Sequence, residues 1–229
     1  MERKELVRMA SYSKLAYEDL AQEDSANFQF VDSRATGVQY FVKRKGDTLL
    51  IAFRGTDSLR DAITDARFWG ATLPDGTRAP KIKVHTGFLT AYRHPEVRGR
   101  IRDLVGAVQI RRVRITGHSY GAALALLCAG DLRSLSPGLD VEVVVFGCPR
   151  VGNRAFECAY EDLVSKTVRV ENGNDAVTKL PPALLGYRHV GEKFHVGGPR
   201  IPGVYRTEDH SIDEYIRHLC RCIPKRLPI

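Results

Sequence analysis

Arg114-Ile115-Thr116-Gly117-His118-Ser119-Tyr120-Gly121-Ala122-Ala123-Leu124 sets a Gly-x-Ser-x-Gly pattern between two segments of opposite character. Val113 to Thr116 reads as a short buried strand. Ala122 to Leu135 reads as an Ala- and Leu-rich helix, stopped by Pro137-Gly138. The pattern alone occurs by chance in many chains, but a tight strand-to-helix turn gives it mechanical meaning. Such a turn lifts the Ser119 hydroxyl out of the sheet. It leaves no room for side chains at 117 and 121, which glycine relieves. The helix that follows aims its amide N–H groups and positive end at the same point, favouring developing negative charge. His118 is next to the serine in sequence, yet neighbours on such a turn diverge, so it reads as a packed or hydrogen-bonded histidine rather than a base.

Working outward, the same alternation recurs. An amphipathic helix is predicted over residues 3 to 20, from Leu6, Met9, Ala10, Tyr17 and Leu20 at helical spacing. Three strand-like stretches, Phe28 to Val31, Val38 to Lys43 and Thr48 to Phe53, are punctuated by Gly37 and Lys45-Gly46-Asp47, a β-meander. Val97, Ile101, Leu104, Val105 and Val108 mark a helix. Val141 to Phe146 is a β-branched run suited to a strand covered on both faces. Arg154 to Val164 reads as helix, Thr167 to Val170 as strand, and Ile212, Tyr215, Ile216 and Leu219 as a closing helical stripe. His189 and His195 fall in a predicted hairpin. Strand and helix in alternation predict an α/β chain with a mixed sheet and helices on both faces. With no repeat, low-complexity tract or linker, residues 1–229 read as a single domain.

The composition agrees. The 229 residues are 43% apolar and 27% charged, which excludes disordered, collagen-like and coiled-coil classes. No apolar run approaches the ~20 residues of a membrane span. The first ten residues hold no apolar core of signal-peptide length. Five cysteines (Cys128, Cys148, Cys158, Cys220, Cys222) make an odd count without zinc-like spacing, which favours reduced thiols and an intracellular location, with secretion left open. The net charge of +8 favours anionic surfaces. It is spread along the chain with no aromatic-interleaved basic motif, so nucleic acid is not an expected partner.

A serine hydroxyl needs a histidine base held by a carboxylate, in the chain order Ser, acid, His for this architecture. Downstream stand His189, His195, His210 and His218, and Asp131, Asp140, Asp162, Asp175, Asp209 and Asp213. Asp131 and Asp162 sit among charged neighbours on predicted helices and read as solvated. Asp175 follows a predicted strand in a loop, where α/β sites gather. His210 opens the last helix, whereas His218 lies inside it. Asp175 and His210 are the preferred pair.

Six segments in one order then carry a resemblance. They are Ile51-Ala52-Phe53-Arg54-Gly55-Thr56, Lys83-Val84-His85-Thr86-Gly87-Phe88-Leu89, Thr116-Gly117-His118-Ser119-Tyr120-Gly121, Phe146-Gly147-Cys148-Pro149-Arg150-Val151-Gly152, Asn174-Asp175-x-Val177-x-x-Leu180-Pro181-Pro182, and Asp209-His210. Between about residues 12 and 217 the chain resembles the class 3 lipases of the Rhizomucor and Thermomyces type. The resemblance implies an α/β-hydrolase fold and an ester hydrolase of triacylglycerol-lipase type. It implies Ser119 as nucleophile, Asp175 as acid, His210 as base, and Thr56 and Tyr120 as the oxyanion hole. No metal and no cofactor are called for.

The chain departs from the family's Gly-His-Ser-Leu-Gly-Gly at Tyr120 and Ala122, which keeps the backbone donor but sets an aromatic ring beside the acyl site. The family keeps its lid after Thr56. There Leu59, Ala62, Ile63 and Ala66 form an apolar stripe ending near Trp69, read as a lid-like helix near residues 57–69 that can open onto lipid. The expected partner is a lipid or other ester substrate, with transient binding to a lipid interface. Phospholipase A1 activity, a soluble short-chain or feruloyl-type esterase, and a catalytically silent binding protein of the same fold are the competing readings. The sequence leaves the oligomeric state open.

Overall fold

The computed structural model describes residues 1–18, 20, 25–56, 71–72, 81–106 and 109–221. Helix α1 (Arg3–Leu15) precedes the meander of β1 (Phe28–Ser33), β2 (Val38–Lys45) and β3 (Thr48–Phe53). Two short strands, β4 (Ala71–Thr72) and β5 (Lys83–Val84), lead into α2 (Thr86–Arg93). A π-helical turn (Pro95–Gly99) then runs into α3 (Arg100–Gly106). The centre of the chain is β6 (Arg112–His118), α4 (Tyr120–Leu135) and β7 (Asp140–Phe146). It is followed by β8 (Gly152–Asn153), α5 (Arg154–Leu163), β9 (Lys166–Asn172), β10 (Tyr187–Arg188), β11 (Glu192–Val196) and α6 (Ile212–Arg221).

Seven strands form one sheet in the order β1-β2-β3-β6-β7-β9-β11. The first two pairings are antiparallel and the other four parallel, so the sheet is mixed but mostly parallel. Strands with both faces covered need apolar residues at successive positions rather than alternate ones, and β3 and β7 meet that demand. Leu49, Ile51, Phe53, Val141, Val143 and Val145 face a core built with α2, α4 and α5. Leu50, Ala52, Val144 and Phe146 face a second core with α1 and α6. Helices therefore cover both faces, as the alternating pattern predicts.

Three local expectations are corrected. The first helix ends at Leu15, so Tyr17 lies beyond it, as does Leu20, which is nevertheless buried. The stretch holding His189 and His195 is no hairpin, because β11 pairs in parallel with β9 while β10 joins β8 in a small four-stranded sheet. Asp131 is not a solvated face residue. Its carboxylate accepts hydrogen bonds from Arg98, Arg102 and the Tyr92 hydroxyl. Burial alone would raise its pKa, but those donors outweigh it and hold the carboxyl below its usual range.

Parallel pairing has one consequence for chemistry. The carboxyl ends of β3, β6 and β9 lie on the same edge, and the chain leaves them at Thr56, Ser119 and Asp175 respectively.

Candidate active site

Ser119 sits between β6 and α4 with φ 61° and ψ −125°, the one non-glycine with positive φ among the described residues. This conformation is available almost only to glycine and costs on the order of 1–3 kcal/mol elsewhere. The surroundings enforce it: a Cβ on Gly117 would overlap the Gly121 carbonyl, and one on Gly121 the Phe53 carbonyl. The serine makes no helix-capping bond with its side chain, which leaves the hydroxyl for another partner.

That partner is His210. Its Nε2 lies 2.8 Å from Ser119 Oγ, and its Nδ1 lies 2.9 and 3.0 Å from the two oxygens of Asp175. A carboxylate offers only lone pairs, so Nδ1 carries the hydrogen and Nε2 accepts from the serine. Asp175 is buried, which alone would raise its pKa. The bond to His210, with donation from the Tyr215 hydroxyl (2.5 Å) and the Val177 N–H (2.9 Å), outweighs burial and holds it ionised. Tyr215 itself is pushed far up by burial and by the Asp175 charge, so it remains a donor.

Asparagines at and just after the end of β9 hold the turn that carries His210. Asn172 donates from Nδ2 to the Asp209 carbonyl, and its Oδ1 accepts from His218 Nδ1. Asn174 donates its N–H to the Asp209 carboxylate, while its Oδ1 accepts from the Ile201 N–H. His210 lies in a 3-10 turn (Glu208–His210) just before α6 rather than in its first turn. His189 and His218 bond to Thr178 and Asn172 and stand outside this group; His195 bonds to the Gly198 carbonyl.

A cleft of about 570 Å³ opens onto Ser119 and His210, lined also by Thr56, Tyr17, Leu180 and Ile212. Tyr120, the first residue of α4, leans its ring edge-on against Phe88, with ring centroids 5.5 Å apart. Leu59, Ala62, Ile63 and Trp69, read as a lid, lie outside the described residues. Among the described residues no group of three or more His, Cys, Asp or Glu side chains is placed to hold a metal ion. Nor is any helix there long and apolar enough to cross a membrane.

Tyr215, Tyr17 and His118 were missed as members of the site. The available signal was a tyrosine in an apolar stripe, since a buried phenol needs a partner for its hydroxyl.

A mostly parallel sheet carrying a nucleophile turn, a histidine and a buried carboxylate at its carboxyl edge defines an α/β-hydrolase fold with a serine-hydrolase arrangement. The family model Lipase (class 3) matches residues 50–185, more than half of the chain, and the chain belongs to that family. It is 36% identical over 156 residues to a lipase of Rhizomucor miehei, an alignment covering 65% of this chain and 42% of that one. It is 31% identical over 208 residues to phospholipase A1-II 4 of Oryza sativa subsp. japonica, covering 78% and 52%. A solved structure described as a triacylglycerol lipase with a serine-protease triad superposes with TM-score 0.75 at 27% identity, covering 90% of this chain and 92% of that one. The chain thus spans about half the length of the curated relatives it matches.

Proposed function

We propose that this chain hydrolyses lipid esters through an acyl-enzyme on Ser119. The observation that carries the proposal is the unbroken line Ser119 Oγ, His210 Nε2, His210 Nδ1, Asp175. Ser119 attacks the ester carbonyl as His210 takes its proton, and buried Asp175 stabilises the imidazolium. Backbone N–H groups of Thr56 and Tyr120 hold the oxyanion, each donor being worth on the order of 3 kcal/mol of barrier. His210 then protonates the departing alcohol, and water repeats the sequence on the acyl group. A lipid rather than a small soluble ester is favoured by exposed Leu184, Leu185, Ile201 and Tyr205 on loops flanking Asp175 and His210. The reading extends to a reducing compartment, supported by Cys128, Cys148, Cys158 and Cys220, which are free thiols.

The test is hydrolysis of p-nitrophenyl esters from acetate to palmitate, with and without a dispersed lipid interface, beside Ser119→Ala. Serine-dependent rates that rise with chain length and at the interface are expected. Serine-dependent activity confined to short chains would make the protein a soluble esterase, and a Ser119→Ala protein as active as the parent would move the site elsewhere.

A phospholipase A1 reading draws on one further observation. Residues 176–207, the segment between Asp175 and the turn of His210, carry five Lys and Arg against one Glu, half of the net +8. Faster release of fatty acid from anionic than from neutral phospholipid vesicles is its expected sign, and equal rates would remove it.

A further inference from the structure

We propose that Tyr17 and His118 are positioning residues for the base, forming a relay from the Tyr17 hydroxyl through the His118 imidazole to the His210 carbonyl. The inference rests on reading Ser119, His210 and Asp175 as the working site. His118 Nε2 lies 2.7 Å from the His210 carbonyl oxygen, and the Tyr17 hydroxyl lies 2.7 Å from His118 Nδ1. A carbonyl only accepts, so Nε2 carries the hydrogen. His118 is buried, and burial first, with the nearby His210 second, keeps it neutral. A neutral imidazole has one N–H, so Nδ1 is bare and the tyrosine hydroxyl donates to it. Every hydrogen in the relay is thereby assigned.

The relay grips the base at two points. His118 donates to the His210 carbonyl and also lies against its ring, with centroids 4.5 Å apart and planes tilted 33°. His210 belongs to a three-residue turn, which by itself fixes a ring poorly. The other end of the relay is anchored too. The Tyr17 hydroxyl occupies the space a Cβ at residue 55 would need, which accounts for glycine before Thr56. The Arg54 guanidinium lies 5.6 Å from the Tyr17 ring centre, and Lys14 and Asp213 tie this end of α1 to α6. One hydroxyl thus touches the strand end that presents Thr56 and the histidine that holds His210.

Losing that hydroxyl leaves the hydrogen on Nε2, where the His210 carbonyl holds it, but strips Nδ1 of its donor. The imidazole, pinned at one end only, can then tilt and carry the base off line. A small displacement of the base slows chemistry more than it weakens substrate binding.

The experiment compares Tyr17→Phe, His118→Gln and His118→Leu with the parent on a short soluble p-nitrophenyl ester. Beside the kinetics it follows the low-field proton NMR signal of the His210–Asp175 bond, which is read without turnover. Tyr17→Phe is expected to lower kcat about tenfold with KM within about twofold and to shift the proton signal. His118→Gln, which keeps an N–H at the Nε2 position, is expected to stay within about threefold. His118→Leu is expected to lose about a hundredfold. Parental kcat and an unmoved proton signal in Tyr17→Phe would overturn the relay, as would equal losses in the Gln and Leu variants or a loss confined to KM. Should His118→Leu fail to fold, the other two still decide. If Ser119→Ala hydrolyses as fast as the parent, the site reading itself falls, and the proton signal continues to report on the relay.

Discussion

At residue 119 chemistry and stability pull apart. A serine at φ 61° gains nothing for folding, and the turn stays in this conformation because Gly117 and Gly121 are packed against carbonyls on either side. Ser119→Gly and Ser119→Ala both remove the hydroxyl that bonds His210, but only glycine relaxes the backbone. The glycine variant is expected to be more stable than the alanine variant by about 1 kcal/mol, despite its greater chain entropy. Urea unfolding of the two variants checks this, and equal midpoints would show that the turn is unstrained. His118 makes the pH dependence specific. Burial, then repulsion from His210, lowers its pKa to about 3, against about 6.5 in an unfolded chain. The unfolded state therefore binds a proton that the folded state refuses, and stability is lost as pH falls from about 6.5 towards 3. His118→Gln cannot titrate. Between pH 6.5 and 4.5 the parent is expected to lose about 2 kcal/mol more than the variant, the losses at Asp175 and Asp131 being common to both. Parallel stability curves would mean that His118 is charged or exposed.

Among the elements, β9 does most to shape the site. Inside it Glu171 is buried and is the shared anion for Arg169, Arg200 (3.1 Å) and Lys179 (3.8 Å). Lys179 belongs to the loop after Asp175 and Arg200 to the loop before His210, so one carboxylate ties both to the strand. Glu171→Gln leaves three cations without their counter-charge and is expected to cost about 3 kcal/mol, with partial loss of ester hydrolysis. A change below about 0.5 kcal/mol would reduce the cluster to a surface ion pair. The cluster also marks where sequence reading stops. Strands β3 and β7 were legible because burial on both faces demands long apolar runs, and the end of β6 with Gly117-x-Ser119-x-Gly121 because packing there excludes Cβ atoms. The roles of Glu171, Asp131, Tyr17 and Tyr215 were not legible, because a charge or hydroxyl paired by a distant segment leaves no local trace of its partner, even where, as at Tyr215, the ring itself falls in an apolar stripe. For the same reason β11 read as half of a hairpin. Its own residues record that it is a strand, while its partner β9 is set by where the chain returns. Asp175 and His210 lay between these cases. Their loops could be chosen by position after a strand and before a helix, whereas the 2.8 Å and 2.9 Å contacts belong to the fold alone.

For the whole molecule, the distribution of exposed apolar side chains matters more than its total. Six large hydrophobic residues are exposed among those described, and four of them, Leu184 (99%), Leu185 (43%), Ile201 (48%) and Tyr205 (62%), fall in one stretch of 22 residues. The far end of that stretch is fastened beside Asp175, where Asn174 accepts from the Ile201 and Arg206 N–H groups. Scattered exposed leucines need no explanation, but four large apolar side chains in one stretch of chain between Asp175 and His210, which also carries Arg188, Arg200 and Arg206, suit a surface that is apolar below and anionic above. Burying a leucine side chain contributes about 1.5–3 kcal/mol, so two such residues bear measurably on adsorption. In a Ser119→Ala background, which keeps the vesicles intact, Leu184→Ser with Ile201→Ser is expected to weaken binding to anionic phospholipid vesicles at least tenfold. The same pair in the active chain is expected to leave hydrolysis of a short soluble ester within about twofold. Cosedimentation at two salt concentrations separates the two contributions, because the charged part weakens as salt rises and the apolar part does not. Unchanged adsorption of the double variant would assign membrane contact to another face, and a matching loss on the soluble ester would show that the two loops serve the chemistry rather than the interface.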